Sequence, residues 1–454
     1  MHLQETIRHN ALTRLYEEAG LSAAIRRSLN FILLGNICGS AHGIICGGGT
    51  TAMVGLASQL GAGDLVFGIL AAIPQAAALL QIPYSMLVNR THKRKKYMLT
   101  LGMFSRVLWI LVGLIPLLAP ASPAQLRLWS LIFLLGVSNC CGAVINVCWL
   151  PWLTDLAPLQ IRGRWLSVRE TLLAASNMVI GLVVAYLLDH LPPETRYIII
   201  FIIGGVIGMI DMACFGFCEE RYSAPPKRLH FKEIIRDVAK NVPFRRLLLM
   251  WTVWCFTGNM CGVYFTPYSM NVMGLSFMQI MVFATITCSV ATILAMPRWG
   301  KLMHRFGCRS VMMAATVSFS LMPLFYLFSS PGNIWPTFLY SFFGGLTNCG
   351  ATLAANSMQL SYSPDESRPS YIALFACVPA LLGTTLGSLA GGALLEHWNS
   401  MGWFTGYFDR YKMLTLACCV LRLAGSLLLV APLQNDREGT TAELVRSLLP
   451  QKKK

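Results

Sequence analysis

Four ionisable side chains stand inside long apolar runs of this chain: His42 in GSAHGIICGGG, Arg106 in LTLGMFSRVLWI, Asp211 in GVIGMIDMACFG and Arg422 in LACCVLRLAGSL. An imidazole that titrates near physiological pH can carry a proton. A carboxylate and a guanidinium can neutralise each other or hold an ion, and an unpaired guanidinium can bind an anion. Neutral polar groups recur at helical spacing as well. Asn139 and Asn146 are seven apart and share one helical face; Asn259, Tyr264 and Tyr268 follow in another run; Asn348, Thr352, Asn356 and Gln359 repeat every three or four residues. Amides and phenols both donate and accept hydrogen bonds, which suits hydroxyl-rich or zwitterionic solutes. The competing use is interhelical hydrogen bonding, worth ~0.6 kcal/mol each.

The elements that must position these groups follow from composition. Hydrophobic residues make up 55% of the 454 and charged residues only 12%, against about 25% charged in soluble domains. A helix needs about 20 apolar residues to cross a bilayer core. Twelve such spans are expected, near 29–54, 64–88, 97–118, 127–152, 165–188, 197–217, 246–270, 276–296, 309–329, 335–360, 370–395 and 411–433. The ~10-residue alternating segments of a membrane barrel are absent. The fold class is therefore an all-α polytopic membrane protein. Residues 1–28 are too polar for a signal peptide and read as an amphipathic cytosolic segment, and residues 434–454 as a polar tail.

The net charge of +16 is unevenly placed. With twelve spans, thirty of the 36 Lys and Arg fall on one face, including the knot at Arg90, Lys93, Arg94, Lys95 and Lys96. Arg127, Arg196, Arg410 and Lys412 fall on the other. Basic residues stay on the cytoplasmic side, so both termini are expected in the cytosol, and the knot meets anionic lipid rather than nucleic acid. Most of the fifteen Cys lie inside spans, and no CxxC occurs. Neither a metal site nor a cofactor is expected.

The chain also repeats itself. At an offset of 215 residues Arg90 falls on Arg305, Arg94 on Arg309 and Asn89 on His304; at 209, Asn139 falls on Asn348. Two pseudo-symmetric six-helix halves follow, 29–217 and 246–433, joined by a cytosolic linker at 218–245. Such repeats build secondary transporters, with the solute held where the halves face each other.

The stretch GKLMHRFGCR resembles the loop signature G-x-x-x-D-R-x-G-R-R of the major facilitator superfamily. Gly300, Arg305, Gly307 and Arg309 match it, His304 replaces the acid and Cys308 a basic residue. In the first copy Lys93 and Arg94 fit, while Ser85, Asn89 and His92 depart. WLPWLTDLAPLQIRGRWLSVRE, from Trp149 to Glu170, is similar to a D-L-x-P-x-x-x-R-G-R stretch that follows span 4 in bacterial facilitators. The Gly-Pro-rich span-5 signature of drug/proton antiporters is missing from LLAASNMVIGLVVAYLL.

The resemblance implies roles. Spans 1, 4, 7 and 10 line the cavity in that fold, which makes His42, Asn139, Asn146, Asn259, Tyr264, Tyr268, Asn348 and Asn356 candidate solute contacts. Arg422, near the middle of span 12 with no acidic residue at that depth in the second half, reads as a snorkelling or carbonyl-bonded arginine on an outer helix or as an anion-binding charge. Spans 3 and 6 are neighbours there, so Arg106 and Asp211 are expected to pair, as a structural bridge or as a proton site. Arg90, Arg94, Asp155, Arg162, Arg164, Arg169, Glu170, Arg305 and Arg309 form a candidate cytoplasmic gate, or a passive set of surface ion pairs worth about 0–1 kcal/mol each. Gly383, Gly387 and Gly391 make a flat packing stripe in span 11.

The expected function is secondary active transport of a small polar solute, sugar-like or zwitterionic, across a bacterial-type inner membrane. It would work by alternating access, coupled to H⁺ or Na⁺, in a monomer. The alternative is export of lipophilic or lipid-like compounds through a cavity lined by aromatics and Met. A lipid-modifying intramembrane enzyme would need a nucleophile–base or acidic pair at depth, and the spans offer none.

Overall fold

The computed structural model describes residues 16–17, 20–91, 93–118, 123–157, 159–220, 231–364, 368–404 and 406–434. Among them no strand forms, and twelve long helices carry the fold. Eleven are long and apolar enough to cross a membrane: α1 (Ala23–Ile45), α2 (Asp64–Val88), α3 (Arg94–Leu117), α4 (Ala124–Trp149), α5 (Arg164–His190), α6 (Arg196–Gly216), α7 (Val242–Asn271), α8 (Phe277–Phe306), α9 (Cys308–Phe328), α11 (Ser370–Ser400) and α12 (Arg410–Val430). The remaining one, α10 (Trp335–Tyr362), is 28 residues long and uncharged. Its amides and hydroxyls, Asn348, Thr352, Asn356, Ser357 and Gln359 among them, make it the least apolar of the twelve.

Local chemistry sets the ends. Ser22 caps α1, Asn241 caps α7 with Pro243 in its first turn, and Asp409 caps α12, each side chain accepting from a first-turn N–H. Ser276 and Gln279 form a reciprocal capping box at the start of α8. The expected first span, 29–54, proves to be two pieces. Helix α1 stops at Ile45, Gly47 to Gly49 interrupt it, and Thr50 caps a separate helix at Thr51–Gln59. Span 8 is longer than expected, running through Pro297 to Phe306. It ends at Gly307, whose φ of 84° disfavours a residue with a Cβ, and α9 starts at once. The signature glycine is thus the whole turn.

By internal contacts the chain forms two compact units, Met1–Gly61 with Ala77–Lys227, and Ala62–Ala76 with Arg228–Lys454. The same helix pairs recur inside each. In the first, α1 packs on α5 and α6, and α3 on α4 and α6; in the second, α7 packs on α11 and α12, and α9 on α10 and α12. The first unit's core gathers Trp152, Trp165 and Phe215; the second's gathers Phe244, Met358 and Tyr371 around Trp254 and Trp299. The glycine stripe of α11 permits backbone contact with α7: a Cβ on Gly383 would lie 2.8 Å from Thr252 O, on Gly387 2.4 Å from Phe256 O, and on Gly391 2.1 Å from Met260 O. The N-terminal amphipathic segment and the C-terminal tail lie largely outside the described residues. Residues 221–230 of the linker do too, and it is described again from the helix at Phe231–Lys240 onward.

Candidate functional site

In the first unit three of the four ionisable groups that stand inside apolar runs meet. Arg106 Nη2 on α3 lies 3.1 Å from Asp211 Oδ2 on α6. His42, only 2% exposed, holds its Nδ1 2.8 Å from the Gly204 carbonyl and stands edge-on to Trp109. Glycines make room: a Cβ on Gly208 would lie 2.6 Å from His42 Nδ1 and 2.7 Å from Arg106 Cδ, and one on Gly39 would lie 2.8 Å from Asp211 Oδ2. His42 therefore belongs to a buried polar cluster with Arg106 and Asp211, inside the packing of α1, α3 and α6.

The second unit holds a half-open cavity of ≈ 320 Å³ at α7, α8, α9 and α10. Its polar lining comes from Thr266, Ser269, Tyr326, Thr337, Tyr340, Ser341 and Asn348, and its aromatic lining from Phe265, Phe283 and Phe319. Helix α8 makes a wide π turn at Met281–Ile286, which carries Phe283 and Ala284 to the cavity; such turns often mark functional positions. No acid, histidine or methionine is among the lining residues. This size is within the range of small-molecule sites.

The other candidates are distributed as follows. Asn146, Asn348 and Asn356 are exposed, and no side-chain hydrogen bond occupies them among the described residues. Asn139 donates to the Leu135 carbonyl of its own helix. Asn259 donates to Cys255 O and to Thr384 Oγ1 on α11, so it ties two helices together. Tyr264 is buried and donates to Ser388 O. Tyr268 packs among Tyr326 and Tyr411. Of the whole expected set, Asn348 alone lines the cavity. Arg422 is buried over the rings of Trp254 and Phe319.

On the basic face, Arg94 Nη2 lies 2.9 Å from Asp155 Oδ2 and its guanidinium over Trp152. Arg169 pairs with Glu170, donates to Asn36 Oδ1 at 2.9 Å and covers Trp149. Arg90, Arg164 and Arg305 are exposed and Arg309 half-buried; the Arg162 side chain lies outside the described set.

One cluster escaped the sequence reading. Asp64, 5% exposed at the start of α2, accepts from Arg410 Nε at 3.1 Å and from the Tyr411 hydroxyl, both at the start of α12. Arg410 also donates to Asn399 Oδ1 at the end of α11. Span parity places all these ends on the face opposite the basic knot, and that was the available signal. Among the described residues no group of three or more His, Cys, Asp or Glu could hold a metal.

Comparison with known proteins accords with this geometry. No curated protein matches the chain by sequence. Among solved structures, a bacterial homologue of the human lysosomal transporter Spinster, inward-facing and occupied, superposes with a TM-score of 0.65 at 15% identity, covering 94% of this chain and 96% of its own. The nucleoside transporter NupG gives 0.61 at 11% identity, over 90% and 99%. A D-xylose–proton symporter gives 0.63 at 12%, over 92% and 100%. At such identities these show a shared fold. The family model of the Major Facilitator Superfamily matches residues 37–296 and 281–443, nearly the whole chain. This multi-pass membrane protein, with its twelve helices in two six-helix halves, belongs to the Major Facilitator Superfamily.

Proposed function

We propose that the protein is a secondary transporter that moves a small polar solute by alternating access, with the α7–α10 cavity as part of the solute site. The observation that carries this reading is the cavity's lining. Seven hydroxyl or amide side chains line a space of ≈ 320 Å³ together with three phenylalanines, an arrangement that fixes polar groups while covering apolar faces. Export of lipophilic compounds would call for a Met-rich, adaptable wall, and no methionine lines this space. The Spinster homologue, NupG and the xylose symporter are transporters by name, which supports the class and not the cargo.

The basic face, carrying thirty of the 36 Lys and Arg, is the cytoplasmic one in this reading, so both termini lie inside a bacterial-type inner membrane. The protein works as a monomer. The His42–Arg106–Asp211 cluster is the place where a coupling proton would be carried, and an imposed pH gradient against an imposed Na⁺ gradient tells the two driving ions apart. The first test is a thermal-shift screen of purified protein against sugars, amino acids, organic anions and lipophilic cations. A ligand at 100 times its Kd adds roughly 2.7 kcal/mol of stability. Stabilisation by a polar solute, lost in Asn348→Leu, is the expected result. Stabilisation by lipophilic cations alone would replace this reading with the export one.

A further inference from the structure

The second unit buries a cation that nothing among the described residues balances. Arg422 lies twelve residues beyond Arg410, roughly 18 Å along α12, and is 7% exposed. No carboxylate pairs with it among the described residues, and its Nε has no hydrogen-bond partner. The titratable groups around it are the Cys255, Cys261, Cys418 and Cys419 thiols and the Tyr340 phenol. The Trp254 ring at 4.4 Å and the Phe319 ring at 4.8 Å offer it two aromatic faces. Those contacts offset only part of the penalty on an unpaired buried charge. Eight residues, roughly 12 Å, separate it from the nearer end of α12 at Val430, and its guanidinium rests between two rings instead of reaching toward that end.

The position of the guanidinium points to its use. A Cβ on Gly258 would sit 2.2 Å from Arg422 Nη2, so the guanidinium rests on α7 at that glycine. Trp254, Gly258, Gly262 and Thr266 follow at four-residue intervals on one face of α7, and the last two line the cavity. Phe319, which carries the guanidinium on its ring, lines it too, as does Tyr340. Arg422 is not itself a lining residue; it stands behind Phe319, which lines the cavity, and no negative charge is among the lining residues.

We propose that Arg422 is the counter-charge for an oxyanion, a carboxylate or phosphate, on the solute that occupies this cavity. The inference rests on the reading of the cavity as the solute site and narrows its cargo from polar solutes to those bearing an anionic group. The planar guanidinium fork matches either oxyanion with two parallel hydrogen bonds.

The test compares matched pairs on the purified protein in phosphatidylcholine nanodiscs: gluconate with glucose, lactate with lactamide, glutamate with glutamine, glycerol 3-phosphate with glycerol. The expected result is a Kd roughly tenfold or more tighter for the acid of at least one pair. Arg422→Met should erase that preference and Arg422→Lys should reduce it. Should neither variant fold, the wild-type comparison decides alone. Equal binding of acid and neutral partner would overturn the anion inference while leaving the cavity reading intact. Stabilisation only on adding phosphatidylglycerol to the nanodiscs would mark the oxyanion as a lipid headgroup and overturn the inference for a solute. Absence of binding by any polar compound, with lipophilic cations binding instead, would remove the cavity reading and this inference with it.

Discussion

Arg106 and Asp211 approach to 3.1 Å across α3 and α6, with their side chains 12% and 5% exposed. His42 packs in the same space, against Gly208 and beside Trp109. A guanidinium and a carboxylate in a bilayer core are tolerated because each offsets part of the other's desolvation penalty. The glycines at 39 and 208 admit them without spreading the helices.

Removing one charge should therefore do more harm than removing both. Asp211→Asn leaves the guanidinium unpaired at a cost of about 3–5 kcal/mol. The double variant Asp211→Asn/Arg106→Gln should recover a large part of it. Thermal unfolding of the four proteins of this cycle in one detergent measures the coupling; equal losses in single and double variants would show that the two side chains act independently.

Asp64 is held by Arg410 and Tyr411 together. Asp64→Asn keeps an acceptor for the tyrosine and loses the ion pair, so its effect should be smaller than that of Asp64→Ala. The latter leaves a partly buried guanidinium and a hydroxyl unpaired, about 2 kcal/mol or more. The ranking of unfolding temperatures checks this.

The long spans were legible because burial in lipid leaves one signal, an apolar run, that local sequence expresses fully. Asp211 and Arg106 were legible for the same reason, as charges have few uses at that depth. The cavity was not. Its lining comes from four helices, and hydroxyls such as Thr257 and Thr316 can equally hide by donating to carbonyls of their own helix, so their types do not reveal which face is empty. Asn259 and Tyr264 look like solute contacts in sequence yet bind α11, since an amide serves helix packing as readily as recognition. Asp64 was passed over because it stands at a span boundary, where charge is ordinary. The end of α1 depends on three glycines whose interruption of the helix competes with the hydropathy of the residues around them.

The glycine contacts supply a graded test. At Gly391 a Cβ would meet Met260 O at 2.1 Å, whereas at Gly136 nothing lies within 4 Å. Gly391→Ala should lower stability by roughly 1–3 kcal/mol as α7 and α11 are forced apart. Gly136→Ala should be neutral or stabilise by about 0.5–1 kcal/mol. Unfolding temperatures of the two variants, measured side by side, settle the comparison.

Gly307 is the turn between α8 and α9 at φ 84°. Gly307→Ala should cost about 1–2 kcal/mol for placing a Cβ in the left-handed region, while Gly300→Ala, in open space within α8, should not. Yield and melting temperature of the two variants provide the readout.

Orientation is open to direct labelling. With the basic face inside, a membrane-impermeant maleimide should reach Glu194→Cys in intact cells and Lys93→Cys only after permeabilisation, in a background whose native thiols are blocked or replaced. The reverse pattern would invert the topology.

The central claim, that a polar solute crosses through this protein, is tested most directly by flux. Purified protein is reconstituted into liposomes, and counterflow of the solute that gives the largest thermal stabilisation is followed with a labelled tracer. The account predicts saturable uptake, competed by the unlabelled solute and strongly reduced in Asn348→Leu at equal protein incorporation. Tracer movement no faster than in empty liposomes, or movement of lipophilic cations instead, would contradict it.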